Sequence, residues 1–306
     1  MYQVAVLMST YNGEKYVAGQ IDSILAQKGV SIDLYIRDDG SADRTMDILE
    51  EYAKKHSNIS IQKGDNIGVG NSFMSLVYTV HGNYEYFAFA DQDDIWLESK
   101  IQTAIHSIEK TTSPALYVSN QTLVNKDLEV LGSRFSSAPS TEFRQILCRN
   151  KVSGCTMVWN RCLQDLLSNQ VRRPSKQLLS NRIHDVWVAM AAAVTGEIIY
   201  DSDSYILYRQ HQDNVVGVKK TNIIKQWMRK IVNTEEQNGR SKLARETVEA
   251  FEDCIQDADI LSALKTYGFY QHDPVKKKQL LHDKSMVQYT GEKPGMFRLK
   301  VFLNLF

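Results

Sequence analysis

Short apolar runs alternate with helical patterns in the first ninety residues. Residues 3–8 form an apolar run, and the apolar positions Val17, Ile21, Ile24 and Leu25 then follow at helical spacing, with Gly29 available to end the helix. The order repeats with strands at 33–37, 58–62 and 84–90, and with helices that carry Leu49 and Phe73 on their apolar faces. This alternation predicts an α/β fold with a mostly parallel, doubly wound sheet.

Beyond residue 115 the alternation is looser. Strands are predicted within 115–124 and 151–159, a helix over 161–167, an apolar helix over 184–194, and strand character again from residue 197. From about residue 222 the chain is polar and helical in pattern.

Polar side chains follow each of the first four predicted strands. They are Ser9, Thr10, Tyr11 and Asn12 after the first, Asp38 and Asp39 after the second, Asn66 and Gly68 after the third, and Asp91, Gln92, Asp93 and Asp94 after the fourth. Ligands of open α/β sheets bind outside the carboxyl ends of the strands, where the strand order reverses. We therefore expect a ligand site at this edge.

Composition narrows the possible partners. Lys plus Arg equals Asp plus Glu at 36 each, so no overall field attracts nucleic acid. The four cysteines form no CxxC pair, which fits a reducing compartment better than a disulfide or zinc framework. No leader pattern and no apolar run of about 20 residues is present, so we expect a cytoplasmic protein.

The acidic cluster after the fourth strand has two interpretations. Carboxylates this close repel one another unless a cation or hydrogen-bond donors compensate them, and their oxygens suit Mg²⁺ or Mn²⁺ together with a diphosphate. The alternative is an acidic turn that caps a helix starting near Trp96. The position directly behind a buried strand favours the metal site.

Three other motifs also have structural alternatives. Asp38 and Asp39, in IRDDGS, either form a turn with Ser41 or Asp43 capping the next helix, or accept a hydrogen bond from a pyrimidine N3–H. His184 and Asp185 either cap an apolar helix or supply a base. His211 is either a strand-end histidine or a ligand of metal or phosphate, and Arg209 either binds the diphosphate or forms a surface ion pair.

Seven segments together resemble the family 2 glycosyltransferases of the GT-A fold, in particular bacterial rhamnosyltransferases of polysaccharide biosynthesis. In chain order they are VLMSTYNGEKYVAGQIDSILAQ, YIRDDGSADRT, DNIGVGNSF, FADQDDIWLESK, VSGCTMVWN, HDVWVA and YRQHQDNVVG. The resemblance spans residues 3–217. We therefore divide the chain into a GT-A domain, residues 1–217, and a helical C-terminal extension, residues 218–306.

The resemblance implies roles for the residues at the predicted edge. It assigns nucleotide-sugar binding to Thr10, Tyr11, Asn12, Asp38, Asp39, Asn66, Gly68, Asp91, Gln92 and Arg209, with Asp39 at the base. It assigns a Mg²⁺ or Mn²⁺ ion to Asp93 and His211. Many relatives have an arginine in the third loop, where this chain has Gly70 and Asn71, so the phosphate contacts of that loop remain open.

The same resemblance implies an inverting transfer with Asp185 as the catalytic base. Such a reaction needs one base to take the proton of the acceptor hydroxyl, opposite the leaving nucleoside diphosphate, whose charge a metal stabilises. Gly154, His184 and Trp187 are assigned to the acceptor and sugar region. The expected donor is dTDP-rhamnose or a UDP-sugar, and the expected acceptor is a hydroxyl of a cell-surface or lipid-linked polysaccharide.

Two basic and apolar segments bear on membranes. Residues 219–230 carry five cations interleaved with apolar residues, and residues 296–306 are also apolar and basic. A helix of this kind either lies on an anionic lipid surface or packs against the domain. Peripheral contact with the inner face of the membrane and a homo-oligomer both stay open.

Two other functions use similar residues. A nucleotidyltransferase also combines carboxylates, a metal and a nucleotide, but it releases pyrophosphate. A non-catalytic module binds the sugar nucleotide without turnover. Within the family, donors other than dTDP-rhamnose, such as UDP-glucose, UDP-galactose or a UDP-N-acetylhexosamine, remain alternatives.

Overall fold

One mixed sheet forms the centre of the protein. The computed structural model describes residues 1–210 and 238–306. The strands are β1 (Tyr2–Thr10), β2 (Val30–Asp38), β3 (Ile59–Lys63), β4 (Tyr86–Ala90), β5 (Ile95–Trp96), β6 (Ala115–Val124), β7 (Val130–Ser133), β8 (Val158–Asn160) and β9 (Glu197–Arg209). Within the described residues the sheet order is β3-β2-β1-β4-β8-β6-β9-β5, and β7 pairs with β6.

Helices cover both faces of this sheet. They are α1 (Val17–Leu25), α2 (Thr45–Lys55), α3 (Val69–Thr79), α4 (Lys100–Ile108), α5 (Phe143–Arg149), α6 (Arg161–Ser168), α7 (Lys176–Asn181), α8 (His184–Thr195), α9 (Gly239–Phe251), α10 (Ala258–Phe269), α11 (Pro274–Leu281), α12 (Lys284–Thr290) and α13 (Pro294–Phe302). The predicted alternation of strands and helices is confirmed.

The sheet is mostly parallel, as predicted, and its strand order reverses at β1. This strand pairs in parallel with β2 on one side and with β4 on the other, whereas β8 is antiparallel to both β4 and β6. The carboxyl ends of β1, β2 and β4 therefore lie side by side at Thr10, Asp38 and Ala90. This is the edge at which ligands of such sheets bind.

Alternation along β1 divides the apolar core into two layers. Ala5 and Leu7 point into the larger cluster, which contains α3, α8 and residues of the C-terminal helices. Val4, Val6 and Met8 point to the opposite face, against α1 and α4. All five side chains are completely buried, so β1 is a central strand held from both sides.

The segment after the acidic cluster differs from the helix that one interpretation placed near Trp96. Ile95 and Trp96 form a short strand that pairs with β9, and α4 begins only at Lys100. Asp94 does not cap α4. Its Oδ1 instead accepts the backbone N–H of Arg209, 3.1 Å away.

The predicted strand over 151–159 is also shorter than the sequence pattern. Residues Gly154–Thr156 form a 3₁₀ turn, and only Val158–Asn160 joins the sheet. An apolar run does not distinguish a strand from a buried turn of this kind.

The C-terminal helices share the core of the sheet domain. Trp187 of α8 packs on Phe251 of α9 with ring centroids 5.4 Å apart. Aspartates at residues 257, 273 and 283 accept backbone N–H bonds at the starts of α10, α11 and α12, which explains the short helices here. The proposed boundary between residues 217 and 218, and the basic segment 219–230, lie outside the described residues.

Candidate active site

The loops after β1 and β2 are tied together at the edge of the sheet. Asn12 has a left-handed backbone with φ of 48°, its N–H donates to Ser41 Oγ, and its Oδ1 accepts the N–H of Ala42. Short Asn side chains tolerate this backbone conformation and bond locally. The loop after β1 is thus held in a defined conformation, and its assigned contact with the base stays a prediction.

Asp38 is a buried anchor of this loop. Its Oδ1 accepts the hydroxyls of Thr10 at 3.0 Å and Ser41 at 2.5 Å, and its Oδ2 accepts the N–H of Ser41 at 2.9 Å. The Asp38 side chain is wholly buried and Thr10 is 1% exposed. Both side chains are therefore occupied with one another, and their assigned contact with the nucleotide stays a prediction.

Asp39 lies beside it in a different set of contacts. Its Oδ1 forms an ion pair with Arg37 and accepts the N–H of Ile67, while its Oδ2 accepts the N–H of Gly68 at 3.0 Å. Gly68, with φ of 82°, and the exposed Asn66 therefore belong to a loop that closes on Asp39.

Tyr11 is the open side chain of the first loop, with 49% of its surface exposed. Gln92, between the acidic residues, holds its backbone: Gln92 Oε1 accepts the Tyr11 N–H at 2.9 Å, and Gln92 Nε2 donates to the Tyr11 carbonyl at 3.0 Å. The loop after β1 and the turn after β4 are thereby joined into one rim. Tyr11 presents its ring for stacking or for polar contact with a ligand.

The three carboxylates after β4 differ in environment. Burial, together with the charges of Asp93 and Asp185, raises the pKa of Asp91 to about 7. Burial and the charges of Asp93 and Asp91 raise the pKa of Asp94 well above its usual range, and among the described residues the buried Asp94 Oδ2 has no hydrogen-bond partner. The influence of Asp185 on Asp91 means that the two acidic motifs meet at one site.

Two residues close to these carboxylates were assigned no role from the sequence, although both lie in segments that carry the resemblance. Cys155 is completely buried, and ligand atoms of Asp91, Asp94 and Cys155 lie within 4.8 Å of one another. Burial raises the pKa of the Cys155 thiol well above its usual range, so it is a neutral donor to the carboxylates. Lys100 is buried over the ring of Trp96, and burial lowers its pKa to about 7.

Arg209 holds the backbone of the acidic turn. Its Nε donates to the carbonyl of Asp93 at 2.9 Å, and its Nη1 donates to the carbonyl of Lys126 at 2.7 Å. Only 6% of the residue is exposed, so its guanidinium does not lie at the surface. Its assigned contact with the diphosphate stays a prediction.

Asp185 lies in the first turn of α8 and is partly exposed. Its Oδ1 accepts the N–H of Val186 at 2.6 Å, and Asn150 Nδ2 donates to its Oδ2 across 3.4 Å. Burial raises the pKa of Asp185 to about 7, against smaller opposing contributions from the Val186 N–H and from Arg134. A carboxylate with this pKa is suited to accept a proton near neutral pH.

The residues assigned to the acceptor region lie in the core beside Asp185. His184 is 3% exposed, stacks on Phe73 at 4.0 Å, and has its pKa lowered to about 3 by burial. Trp187 is completely buried, and a Cβ at Gly154 would lie 2.6 Å from His184 Nε2. In this conformation the imidazole and indole side chains have almost no surface for an acceptor, and Gly154 provides the space for the imidazole.

The donor set of the rim fits a hard divalent cation. Asp91 and Asp93 are partly exposed carboxylates, and Asp94 Oδ2 is a buried oxygen without a hydrogen-bond partner. Oxygen ligands of this kind suit Mg²⁺ or Mn²⁺. The assignment of His211 as a further ligand falls outside the described residues.

Comparisons with known proteins agree with this geometry. The profile described as Glycosyl transferase family 2 matches residues 5–164. The dTDP-rhamnosyl transferase RfbG of Shigella flexneri is 31% identical over 234 residues, which are 69% of this chain and 73% of that protein. The Escherichia coli enzyme WfaP, a UDP-Glc:alpha-D-GlcNAc-diphosphoundecaprenol beta-1,3-glucosyltransferase, is 25% identical over 74% of this chain and 84% of its own.

Solved structures share the fold at low sequence identity. TarS 1-349 of Staphylococcus aureus in complex with UDP-GlcNAc has a TM-score of 0.61 at 17% identity, covering 99% of this chain and 89% of that one. The mannosyltransferase PcManGT of Pyrobaculum calidifontis, in complex with GDP-Man and Mn²⁺, has a TM-score of 0.50 at 13% identity over 98% and 86% of the chains. The predicted GT-A fold with a helical C-terminal region is confirmed.

Proposed function

Because this chain belongs to glycosyl transferase family 2, we propose that it is an inverting, divalent-metal-dependent enzyme that transfers L-rhamnose from dTDP-rhamnose to a hydroxyl of a cell-surface or lipid-linked polysaccharide. The observation that carries the proposal is the meeting of two acidic motifs from distant parts of the sequence. Asp91 and Asp93 follow β4, Asp185 begins α8, and the charge of Asp185 raises the pKa of Asp91.

The acidic turn after β4 and Asp185 have different environments, which supports different roles in the reaction. Asp185 is partly exposed and, from the described residues, receives hydrogen bonds from Val186 and Asn150, so its carboxylate has acceptor capacity left for an incoming hydroxyl. Its raised pKa matches a base that takes the proton of that hydroxyl as the hydroxyl oxygen attacks the anomeric carbon. Asn150 orients the carboxylate.

Asp93 is the residue that would hold the cation, with Asp91 beside it. A divalent cation bound there supplies charge stabilisation to the departing diphosphate and removes the need for a general acid. Arg209 fixes the backbone carbonyl of Asp93, so the position of the turn is set before the donor binds. Tyr11 and Asp39 border the space expected for the base.

The donor follows from the relatives and is tested by product analysis. The name of the Shigella flexneri relative favours dTDP-rhamnose, whereas those of WfaP and the TarS complex favour a UDP-sugar as the second candidate. We expect the purified protein with Mn²⁺ to release dTDP from dTDP-rhamnose faster than it releases UDP from UDP-glucose or UDP-N-acetylglucosamine. Faster turnover of a UDP-sugar would replace the proposed donor but keep the reaction class.

The same assay separates the other function classes. A nucleotidyltransferase would form pyrophosphate from a nucleoside triphosphate and a sugar phosphate. A binding module would bind a sugar nucleotide tightly without releasing nucleoside diphosphate, with every acceptor tried. Either result would overturn the proposed transfer.

A lipid-linked acceptor is also supported by an exposed apolar face of α13. Within the described residues no helix has the length and apolar character to cross a bilayer. Four apolar residues of the last helix and its end are nevertheless 38–66% exposed: Met296, Leu299, Phe302 and Leu303. Lys293 and Arg298 are exposed beside them, whereas the third cation of this segment, Lys300, is paired with Glu292 at 2.8 Å. We assign this face to an anionic bilayer surface.

Vesicle flotation tests this assignment. Replacing both Leu299 and Phe302 by Ser removes about 2 kcal/mol of partial apolar burial, so binding to vesicles containing phosphatidylglycerol should fall about tenfold or more. The control is Val171→Ser, which changes a side chain that is 81% exposed elsewhere. Equal binding by the double variant, or concentration-dependent dimerisation lost in that variant, would contradict a lipid partner.

A further inference from the structure

The Asp39 carboxylate has a fixed number of acceptor positions, and the residues that the structure describes use all but one of them. A carboxylate offers about four lone-pair directions, two on each oxygen. Oδ1 accepts from Arg37 Nη1 and from the N–H of Ile67, and Oδ2 accepts from the N–H of Gly68. One position remains, on Oδ2.

Arg37 is itself held on three sides. Besides its ion pair with Asp39, its Nη1 donates to Ser72 Oγ at 3.0 Å and its Nη2 donates to the carbonyl of Asp65 at 2.9 Å. Only 5% of Arg37 is exposed. The planar guanidinium therefore has one available orientation, and it transmits that orientation to the carboxylate.

Gly64 provides the space in which the guanidinium lies. A Cβ at this position would be 2.4 Å from Arg37 Nη2 and 3.0 Å from Cζ. Gly64 has no left-handed φ, so its backbone conformation alone would accept alanine. The absence of a side chain at residue 64 thus serves the position of Arg37 and not a turn.

We propose that Arg37, seated against Gly64, Asp65 and Ser72, is a positioning residue that makes the nucleotide site selective for a base with an N3–H, uracil or thymine. The inference rests on the proposed function, in which Asp39 faces the base. The single acceptor position left on Asp39 Oδ2 takes that N–H. Cytosine has a lone pair at N3 instead of a hydrogen, so this lone pair would face the remaining lone pair of Asp39 Oδ2, which repels it and stays without a donor.

The proposal gives a specific result for the three pyrimidine nucleotides. With Mn²⁺ present, the wild-type protein should bind UDP and dTDP at least tenfold more tightly than CDP, as measured by titration calorimetry. In Arg37→Met the affinities for UDP and dTDP should fall about tenfold or more while that for CDP changes less than about threefold, so the discrimination narrows. Arg37→Lys keeps the positive charge and should therefore retain part of the discrimination that Arg37→Met loses.

Gly64→Ala tests the positioning of Asp39 by Arg37 while the arginine itself is retained. The added methyl group displaces the guanidinium, so discrimination should narrow as it does in Arg37→Met, and KM for the donor should rise more than kcat falls. The matched control is Arg44→Met, since Arg44 is a largely exposed arginine seven residues further on, with a long ion pair to Asp47 at 3.9 Å. Arg44→Met should leave the ratio of the UDP and dTDP affinities to the CDP affinity unchanged.

The outcomes separate this inference from the proposed function. If the wild-type protein binds none of the three nucleoside diphosphates, the proposed function fails. If it prefers UDP and dTDP but Gly64→Ala and folded Arg37 variants keep the same ratio, or lose all three nucleotides equally, Arg37 has a purely structural role and the inference is overturned.

Discussion

Asp185→Asn is expected to lower the transfer rate by about 10²- to 10⁴-fold while leaving the affinity for the sugar nucleotide within about twofold of the wild type. The amide keeps the shape of the side chain, and its oxygen can still accept the N–H of Val186. It cannot take the proton of the acceptor hydroxyl. Steady-state kinetics with dTDP-rhamnose and calorimetry with dTDP measure the two quantities separately.

The pH dependence of the wild-type enzyme provides an independent check. Because burial raises the pKa of Asp185 to about 7, kcat/KM should increase as pH rises through about 7 and then level off, when the base is ionised. The folded state also holds this proton more tightly than the unfolded state. The resulting stabilisation is complete below about pH 4, is lost as pH rises toward 7, and should be absent in Asp185→Asn.

The control for this variant is Asp259→Asn. Asp259 also lies in the first turn of a helix, α10, but far along the chain from the acidic rim. Its replacement should leave both rate and donor affinity unchanged. Wild-type transfer by Asp185→Asn, or a loss of dTDP binding equal to its loss of rate, would contradict a role as base.

Asp93→Ala is expected to give the second large effect, a loss of about 10²- to 10³-fold in transfer together with loss of metal-stimulated binding of dTDP. Electrostatic stabilisation of a leaving diphosphate by a cation is worth several kcal/mol, and each 1.36 kcal/mol corresponds to about tenfold in rate. Calorimetry of dTDP with and without Mn²⁺ should show the same weak affinity for this variant under both conditions.

Asp47→Ala is the matched control for the second variant, since the Asp47 side chain is 70% exposed on α2 and lies outside the rim. It should retain both transfer and the response to Mn²⁺. If Asp93→Ala keeps its response to Mn²⁺, the cation is held elsewhere and the assignment of Asp93 fails.

The places where the first four strands lie and end could be predicted from the sequence alone. Apolar runs and helical spacing predicted β1 to β4 and the helices between them, because buried central strands are continuous runs and the surrounding helices are amphipathic. The polar residues directly after these runs therefore marked the carboxyl edge of the sheet. The resemblance then attached chemical roles to Asp39, Asp93 and Asp185, whose individual roles remain predictions.

The charge environment of the site residues could be determined only from the tertiary structure. Lys100 and Cys155 are more than 50 residues apart and look like ordinary helix and strand residues, yet both are buried with Asp94 beneath the rim. The interpretation of Asp94 as a helix cap was wrong because Ile95 and Trp96 pair with β9, which no local pattern announces. Likewise His184, expected near the acceptor, stacks on Phe73 of α3.

The sequence by itself determined the order of elements and the edge where polar side chains gather, because periodicity and turn chemistry act over a few residues. Only the tertiary structure decided that Asp185 lies close enough to affect Asp91, that Arg37 is fixed against Asp39, and how far burial shifts each pKa. These properties depend on distances between segments far apart in the chain, and local patterns do not encode them.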